Sequence, residues 1–144
     1  MAENIKLPSK IVTDASVILA LLLPDESIKP SVTRILEQYA QGKVSFSSTH
    51  LLDFEVLNGI RSAILSKRIG PKIGQKLANA FLQLKISRKK IDFRKTFRNA
   101  LQFSLPVYDA GYLTLAKEAR LPLITADRKL KRKIPPKFTN IIAL

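Results

Sequence analysis

The fold is decided by residues 10–23, which read KIVTDASVILALLL. The first four of these residues are mostly apolar and β-branched, which predicts a short buried strand at Lys10–Thr13. Residues 16–23 are predicted to form a short helix that stops at Pro24. Asp14 therefore stands between a buried strand and a helix, where an isolated ionised carboxylate is costly. An acid in that place indicates a function rather than a solvated surface.

Strand-like and helix-like segments alternate along the rest of the chain. We predict strands at 44–47, 91–93, 121–125 and 140–143, and helices at 30–41, from Ser48 or Thr49 to about Arg68, and at 72–84, 94–103, 109–120 and 128–133. This alternation favours a parallel sheet with helices on both faces. Because the 144 residues contain no linker and no internal repeat, we expect one α/β domain over residues 1–144.

Four carboxylates occupy positions that a parallel sheet would bring to one edge. Asp14 and Asp127 directly follow predicted strands, and Asp109 lies in the first turn of a helix that leads into such a strand. Glu55 lies one to two turns into the helix after the second strand. Ligands of open parallel sheets bind beyond the carboxyl ends of the strands. Since gathered carboxylates need cations to remain ionised, the sequence predicts a divalent metal site built from oxygen ligands.

Positive charge flanks these acids in the sequence. The formal net charge is +14, from 25 Lys and Arg against 11 Asp and Glu, which favours a polyanionic partner. The basic segment after Asp127 consists of Arg128, Lys129, Lys131, Arg132 and Lys133. A second basic group precedes Asp109 and consists of Lys85, Arg88, Lys89, Lys90, Arg94, Lys95 and Arg98. Either group would hold a phosphate backbone near the acids; the alternative is that both only solvate helix faces.

Composition excludes several other classes of protein. No apolar run approaches the roughly 18 to 20 residues that span a bilayer, so no membrane partner is expected. The chain has no cysteine, which excludes a disulfide framework and a thiolate zinc site and fits a cytoplasmic protein.

Four short motifs, in this order along the chain, resemble the PIN domain. They are IVTDAS at 11–16, Glu55 with Asn58 three residues later, YDAGYL at 108–113, and TAD at 125–127. The resemblance covers residues 11–144 and is closest to the VapC-like toxins of toxin–antitoxin pairs. Gly59 departs from the pattern, because many members carry a bulkier residue there, and this difference concerns packing more than chemistry.

The resemblance implies a three-layer α/β/α sandwich with a central, mostly parallel sheet and a metal-dependent RNA endonuclease activity. It implies that Asp14, Glu55, Asp109 and Asp127 are the catalytic and metal-binding residues, with Mg²⁺ or Mn²⁺ as the cofactor. Ser16 and Thr125 match hydroxyls near the first and last acids, and Asn58 is a further supporting candidate. The resemblance also implies a homodimer inhibited by a small antitoxin. The basic segment is our candidate for binding RNA.

Two alternatives on the same scaffold are a housekeeping PIN nuclease of RNA processing and a noncatalytic RNA-binding protein. The complete set of four acids speaks against the second. An aspartyl-phosphate phosphatase is disfavoured, because Asp14-Ala15-Ser16 lacks the second acid of an Asp-x-Asp motif.

Several residues near the acids are expected to be structural. The only histidine, His50, is assigned a cap or surface role. Asp53 is interpreted as a favourable charge near a helix N-terminus that points away from Glu55. Tyr112 is expected in the core, because its spacing from Leu115 is helical, although stacking on a base is the alternative.

Overall fold

A parallel sheet forms the centre of the molecule, seen in a computed structural model that describes residues 7–26 and 30–144. In this part of the chain the strands are β1 (Lys10–Thr13), β2 (Ser45–Thr49), β3 (Ile86–Lys89), β4 (Leu123–Thr125) and β5 (Ile141–Ala143). Their order is β3-β2-β1-β4-β5, and each neighbouring pair is parallel. The predicted α/β class with a parallel sheet is confirmed.

Helices connect the strands, as the alternating pattern predicts. Those in the described ranges are α1 (Ala15–Leu22), α2 (Pro30–Ala40), α3 (Leu52–Leu65), α4 (Pro71–Gln83), α5 (Phe93–Phe103), α6 (Val107–Ala119) and α7 (Arg128–Lys133). α1 packs against both α2 and α3, and α3 packs against α4, while α6 packs on β1, β2 and β4 and carries α5 on its outer side. The result is the three-layer α/β/α arrangement.

The strand predicted at 91–93 is wrong, because the third strand is Ile86–Lys89. β3 is an edge strand with alternating buried and exposed residues, so its sequence, ISRK, has no continuous apolar run. Residue 93 begins α5 instead. Asp92 caps that helix by accepting a hydrogen bond from the Lys95 N–H at 3.0 Å.

The core lies on both faces of the central strands. Ile11 and Val12 of β1 and Leu123 and Ile124 of β4 are fully buried, as a doubly covered parallel strand requires. Burying each large aliphatic side chain stabilises the fold by about 1.5–3 kcal/mol. Helix α6 is buried at seven consecutive residues from Ala110 to Ala116, because it lies between the sheet and α5.

Close packing of α1 on α3 explains the glycine at position 59. A Cβ atom added to Gly59 would lie 2.5 Å from Cδ1 of Leu19, well inside van der Waals contact. Position 59 therefore departs from the family pattern because α1 and α3 pack too closely here for a larger side chain.

Parallel topology also sets the position of the acids. The carboxyl ends of β1, β2 and β4 lie along one edge of the sheet, because the strands are parallel and adjacent. Helix α6 runs back antiparallel to them and leads into β4, so its N-terminus lies near this edge. We call this edge, with Asp14, Glu55, Asp109 and Asp127, the acidic edge.

Candidate active site

Asp14 is the buried centre of the acidic edge. It directly follows β1 and caps α1, accepting a hydrogen bond from the Val17 N–H at 3.3 Å. Its two carboxylate oxygens also accept hydrogen bonds from the Ser16 hydroxyl at 2.6 Å and the Thr125 hydroxyl at 2.5 Å. The side chain is only 6% exposed, and burial raises the pKa of Asp14 against the opposing effect of these hydrogen bonds.

The hydroxyls of Ser16 and Thr125 connect Asp14 to the end of β4. Ser16 Oγ accepts a hydrogen bond from the Ala126 N–H at 2.9 Å, and Thr125 Oγ1 accepts one from the Asp127 N–H at 3.0 Å. The segment from Thr125 to Asp127 is thereby held against the first acid. Both hydroxyls expected to support the site contact the Asp14 carboxylate directly.

Glu55 lies in the first turn of α3 and is half-buried. Its Oε1 accepts a hydrogen bond from the Tyr112 hydroxyl at 3.0 Å. Burial is the largest effect on the pKa of Glu55 and raises it; the Tyr112 hydrogen bond lowers it, and the charges of Asp109 and Asp14 raise it further. Tyr112 is in the core, as its spacing predicts. Its contact with Glu55 was missed, although its position one helical turn after Asp109 points toward the acidic edge.

Asp109 and Asp127 form the outer part of the acidic edge. Asp109 is in the first turn of α6, and its pKa is raised first by burial and then by the charge of Asp127, while Lys133 lowers it. Asp127 is exposed and caps α7, accepting a hydrogen bond from the Lys129 N–H at 2.9 Å. Asp127 and Asp14 thus each also serve as a helix cap.

The four carboxylates affect one another through their charges. Asp109 raises the pKa of both Asp14 and Glu55, and is itself affected by Asp127. Within residues 7–26 and 30–144, no three acidic or histidine side chains are close enough to form a ready-made metal cage. Mg²⁺ usually keeps several waters and binds through one or two carboxylates, so an open, all-oxygen set of donors fits such a cation.

The basic segment lies on α7, directly beside the acidic edge. Its five cationic residues are exposed, whereas Leu130 between them is buried and anchors the helix. Lys133 donates a hydrogen bond to the Ser104 carbonyl at 3.0 Å, in the loop before α6. Because Lys133 also lowers the pKa of Asp109, positive charge lies near at least one of the acids.

The second basic group is partly used in ion pairs. Arg88 makes a two-pronged contact with Asp53, with Nη2 to Oδ1 at 2.6 Å and Nε to Oδ2 at 3.2 Å. Lys95 pairs with Glu118 at 3.0 Å. Asp53 therefore has a partner on β3 that its sequence position does not indicate.

Two aromatic rings lie in sequence directly before an acid and are exposed to solvent. Phe54 precedes Glu55 and is 76% exposed, and Tyr108 precedes Asp109 and is 57% exposed. Asn58 is exposed one turn after Glu55, and His50 is exposed, in agreement with its surface assignment. Helical spacing left Tyr108 open between a core role and stacking on a base, and it gave no indication that Phe54 is exposed.

The architecture defines a class of protein: an α/β/α domain whose parallel sheet carries a set of acids at its carboxyl edge. The chain belongs to the PIN-domain family, whose model matches residues 11–134.

Relatives in sequence and in structure agree with this assignment. The chain is 31% identical to Ribonuclease VapC3 of Pyrobaculum aerophilum, over 90% of this chain and 98% of that protein. It is 28% identical to Ribonuclease VapC9 of Mycobacterium tuberculosis, over 83% of this chain and 87% of the relative. A crystal structure of VapBC2 from Rickettsia felis, bound to a DNA fragment, has a TM-score of 0.66 at 15% identity, with 94% of this chain and 98% of that chain covered. That last likeness concerns the fold alone.

Proposed function

We propose that this protein is a VapC-like toxin, an endoribonuclease that hydrolyses RNA phosphodiester bonds at the acidic edge with Mg²⁺ or Mn²⁺. The observation that carries the proposal is Asp14, a buried carboxylate whose pKa is raised and whose charge interacts with those of Glu55 and Asp109. A buried acid beside other acids is unfavourable for stability alone and typical of a catalytic site. The names of the relatives, Ribonuclease VapC3 and Ribonuclease VapC9, support RNA as the substrate.

In this proposal Asp14, Glu55, Asp109 and Asp127 would hold the cation, either directly or through the waters that it keeps. When bound, a divalent cation activates water for attack and stabilises negative charge on the phosphate. Ser16 and Thr125 fix the two oxygens of Asp14, and Tyr112 fixes Oε1 of Glu55. The three hydroxyls position the carboxylates and, by donating to them, favour their ionised form.

Unpaired RNA is the form of substrate that the surroundings of the acids favour. The exposed rings of Phe54 and Tyr108 offer faces on which unpaired bases stack, and such stacking is worth about 1–3 kcal/mol per base. The basic segment on α7 supplies cations for phosphates next to the scissile bond. A base-paired helix would keep its bases away from both rings.

A small antitoxin is the partner expected for such a toxin. Asp14, Glu55 and Asp109 would accept an Arg or Lys side chain from it, because a cation relieves the same repulsion that a metal ion relieves. We further propose one domain over residues 1–144, a homodimer and a cytoplasmic location. Among the described residues, no helix is long and apolar enough to cross a membrane.

RNA cleavage tests the proposal directly. Purified protein is incubated with a mixed RNA pool and Mg²⁺, Mn²⁺ or EDTA, and the product ends are mapped. Attack by water should leave 5′-phosphate and 3′-hydroxyl ends, and both EDTA and the Asp109→Asn change should abolish cleavage. Full activity in EDTA, or 2′,3′-cyclic phosphate ends, would contradict the metal-dependent mechanism. RNA binding without cleavage under every condition would favour the noncatalytic alternative.

Copurification from native cells tests the partner. A small protein that blocks cleavage supports the toxin assignment. Recovery of only ribosomal or processing factors would instead support the housekeeping nuclease.

A further inference from the structure

One face of the sheet is left partly open beside α6, at Ser45 and Ser47 of β2 and at the neighbouring edge strand β3. Parallel sheets nearly always have both faces covered, and their strands are then apolar on both sides. Here the register pairs Ser47 with Ser87 and Lys10 with Ser45, which places these four side chains on the same face. The opposite face of the same strands is packed in the ordinary way, for example by Phe46 stacked on Tyr39 of α2.

The open face forms a groove of about 920 Å³ between the β2–β3 edge and α6. Its polar lining includes Lys10, Ser45, Ser47, Lys85, Ser87 and Lys89. Apolar side chains of α6, including Leu115, form part of the opposite wall. With four residues in β3 at about 3.3 Å each, the strand beneath the groove is about 13 Å long. We call this the β2–β3 groove.

Charge in the β2–β3 groove is positive. Three lysines line it, and the acid that lines it, Glu118, is already paired with Lys95 at 3.0 Å. Lysine ammonium groups only donate hydrogen bonds, and serine hydroxyls can donate as well. A ligand rich in negatively charged acceptor oxygens complements this lining.

We propose that the β2–β3 groove binds the phosphate backbone of the RNA substrate outside the segment that is cut, a role that rests on the proposed ribonuclease function. Phosphate oxygens are acceptors that Lys and Ser side chains contact without regard to sequence. A series of cations along a groove fits a polymer better than a single small anion.

The groove leads toward the acidic edge. Lys89 is level with Thr49 at the carboxyl end of β2, the same edge at which the acids lie. Exposed Lys90 follows on the segment that crosses toward α5, where Ile91 lies close to Gly111 of α6. A strand of RNA that leaves the acids along this side would meet Lys90, then Lys89, and then the remaining lysines of the groove.

Substituting Lys10, Lys85 and Lys89 together by Gln tests the proposal. The matched control substitutes Arg61, Lys72 and Lys76 by Gln, three exposed cations on α3 and α4, outside the groove lining. Binding of a long single-stranded RNA is measured against salt concentration in EDTA, in the Asp109→Asn background so that the RNA stays intact. We expect the groove variant to lower the magnitude of the salt slope by roughly 0.7 for each phosphate that is no longer neutralised, or about 2 for three, and the control to leave it nearly unchanged.

The same groove substitutions are also made in the otherwise wild-type chain, and RNA cleavage by this variant is measured. This assay distinguishes failure of the groove proposal from failure of the proposed ribonuclease function. A short oligonucleotide that reaches only the acidic edge should be cut equally well by the groove variant and the wild type, while a long RNA should be cut less efficiently through a higher KM. Equal salt slopes in the groove variant and the control would overturn the groove, whether or not RNA is cleaved. A reduced slope together with no cleavage of any RNA by the wild type would support the groove and contradict the proposed function.

Discussion

The hydroxyl of Tyr112 donates a hydrogen bond to Oε1 of Glu55 at 3.0 Å and joins two helices on different sides of the sheet. Burial, followed by the charge of Glu55, raises the pKa of Tyr112, so the phenol stays protonated and remains a donor at neutral pH. In return, the hydrogen bond lowers the pKa of Glu55 against the effects of burial and of Asp109. A residue that spacing assigns to the core therefore also affects the pKa of a site residue.

Replacing Tyr112 by Phe should raise the pKa of Glu55, because this variant lacks the donor that favours the ionised form. The acidic limb of the pH–activity profile is then expected to move to higher pH, with full or nearly full activity regained at alkaline pH. Loss of one hydrogen bond should also destabilise the fold by about 0.5–1.5 kcal/mol. The control is Tyr108→Phe, which removes the hydroxyl of an exposed ring. An unshifted acidic limb in Tyr112→Phe would show that Glu55 does not need to be ionised for cleavage.

The two variants Asp109→Asn and Asp14→Asn should differ in stability, although both should abolish cleavage. Burial and the charge of Asp127 disfavour the ionised form of Asp109. Replacing it by neutral Asn should therefore leave the Tm in EDTA unchanged or raise it. Asp14 accepts hydrogen bonds from Ser16, Thr125 and the Val17 N–H. In Asp14→Asn, the amide NH₂ would face one of these hydrogen-bond donors and could not accept from it. The lost hydrogen bond should destabilise the fold by about 1–3 kcal/mol.

Thermal melting in EDTA and in Mn²⁺ measures this difference. Mn²⁺ should stabilise the wild type by mass action and both variants much less. If Asp109→Asn melted well below the wild type in EDTA and still cut RNA, the acid would have a structural role.

Stability without metal should depend on pH in a defined direction. In the folded state the pKa values of Asp14, Glu55 and Asp109 are raised, so the folded protein holds these protons more tightly than the unfolded chain. Their favourable contribution is complete below the unfolded values of about 4 and is lost as the pH rises through the folded values.

We therefore expect the Tm of Asp109→Asn relative to the wild type in EDTA to increase as the pH is raised from acid to neutral. The measurement is a series of paired melting curves, in which the effects of carboxylates elsewhere cancel. A Tm difference that stays constant over this range would show that Asp109 titrates normally.

Neutralising four cations of the basic segment should weaken RNA binding and flatten its salt dependence. Arg128, Lys129, Lys131 and Arg132 are changed to Gln together, which should lower the salt slope by up to roughly 0.7 for each cation that contacts a phosphate. Lys133 is tested separately, since it donates to the Ser104 carbonyl and lowers the pKa of Asp109. An unchanged slope in the fourfold variant would mean that α7 faces away from the RNA.

Phe54→Trp should report base stacking, because the natural chain has no tryptophan. Single-stranded RNA is expected to quench the fluorescence of this tryptophan on binding, since a stacked base lies against the ring. Phe93→Trp is the matched control: Phe93 is 75% exposed against 76% for Phe54, and it also neighbours an acid in sequence, the helix cap Asp92, but that acid is not part of the acidic edge. Equal quenching at both positions would contradict a specific role of Phe54 in stacking on a base.

The sequence by itself determined the class of fold and the candidate acids. Apolar strands and amphipathic helices differ in period, so their alternation predicts a parallel sheet, and acids placed after strands must then share an edge. The predicted bounds differ from those observed by a few residues at most for β1, α4, α6 and α7. The edge strand β3 was misplaced, because only one of its faces is buried and its sequence lacks the apolar run of a central strand.

Only the tertiary structure decided which side chains meet. The contact of Tyr112 with Glu55, the bond of Thr125 to Asp14 and the pairing of Arg88 with Asp53 join residues between 35 and 111 positions apart in the chain. Hydrophobic periodicity reports which face of an element is buried, but not which distant group it is buried against. The open β2–β3 groove is also decided by the tertiary structure alone, because the extent to which α6 covers the sheet depends on how the layers pack.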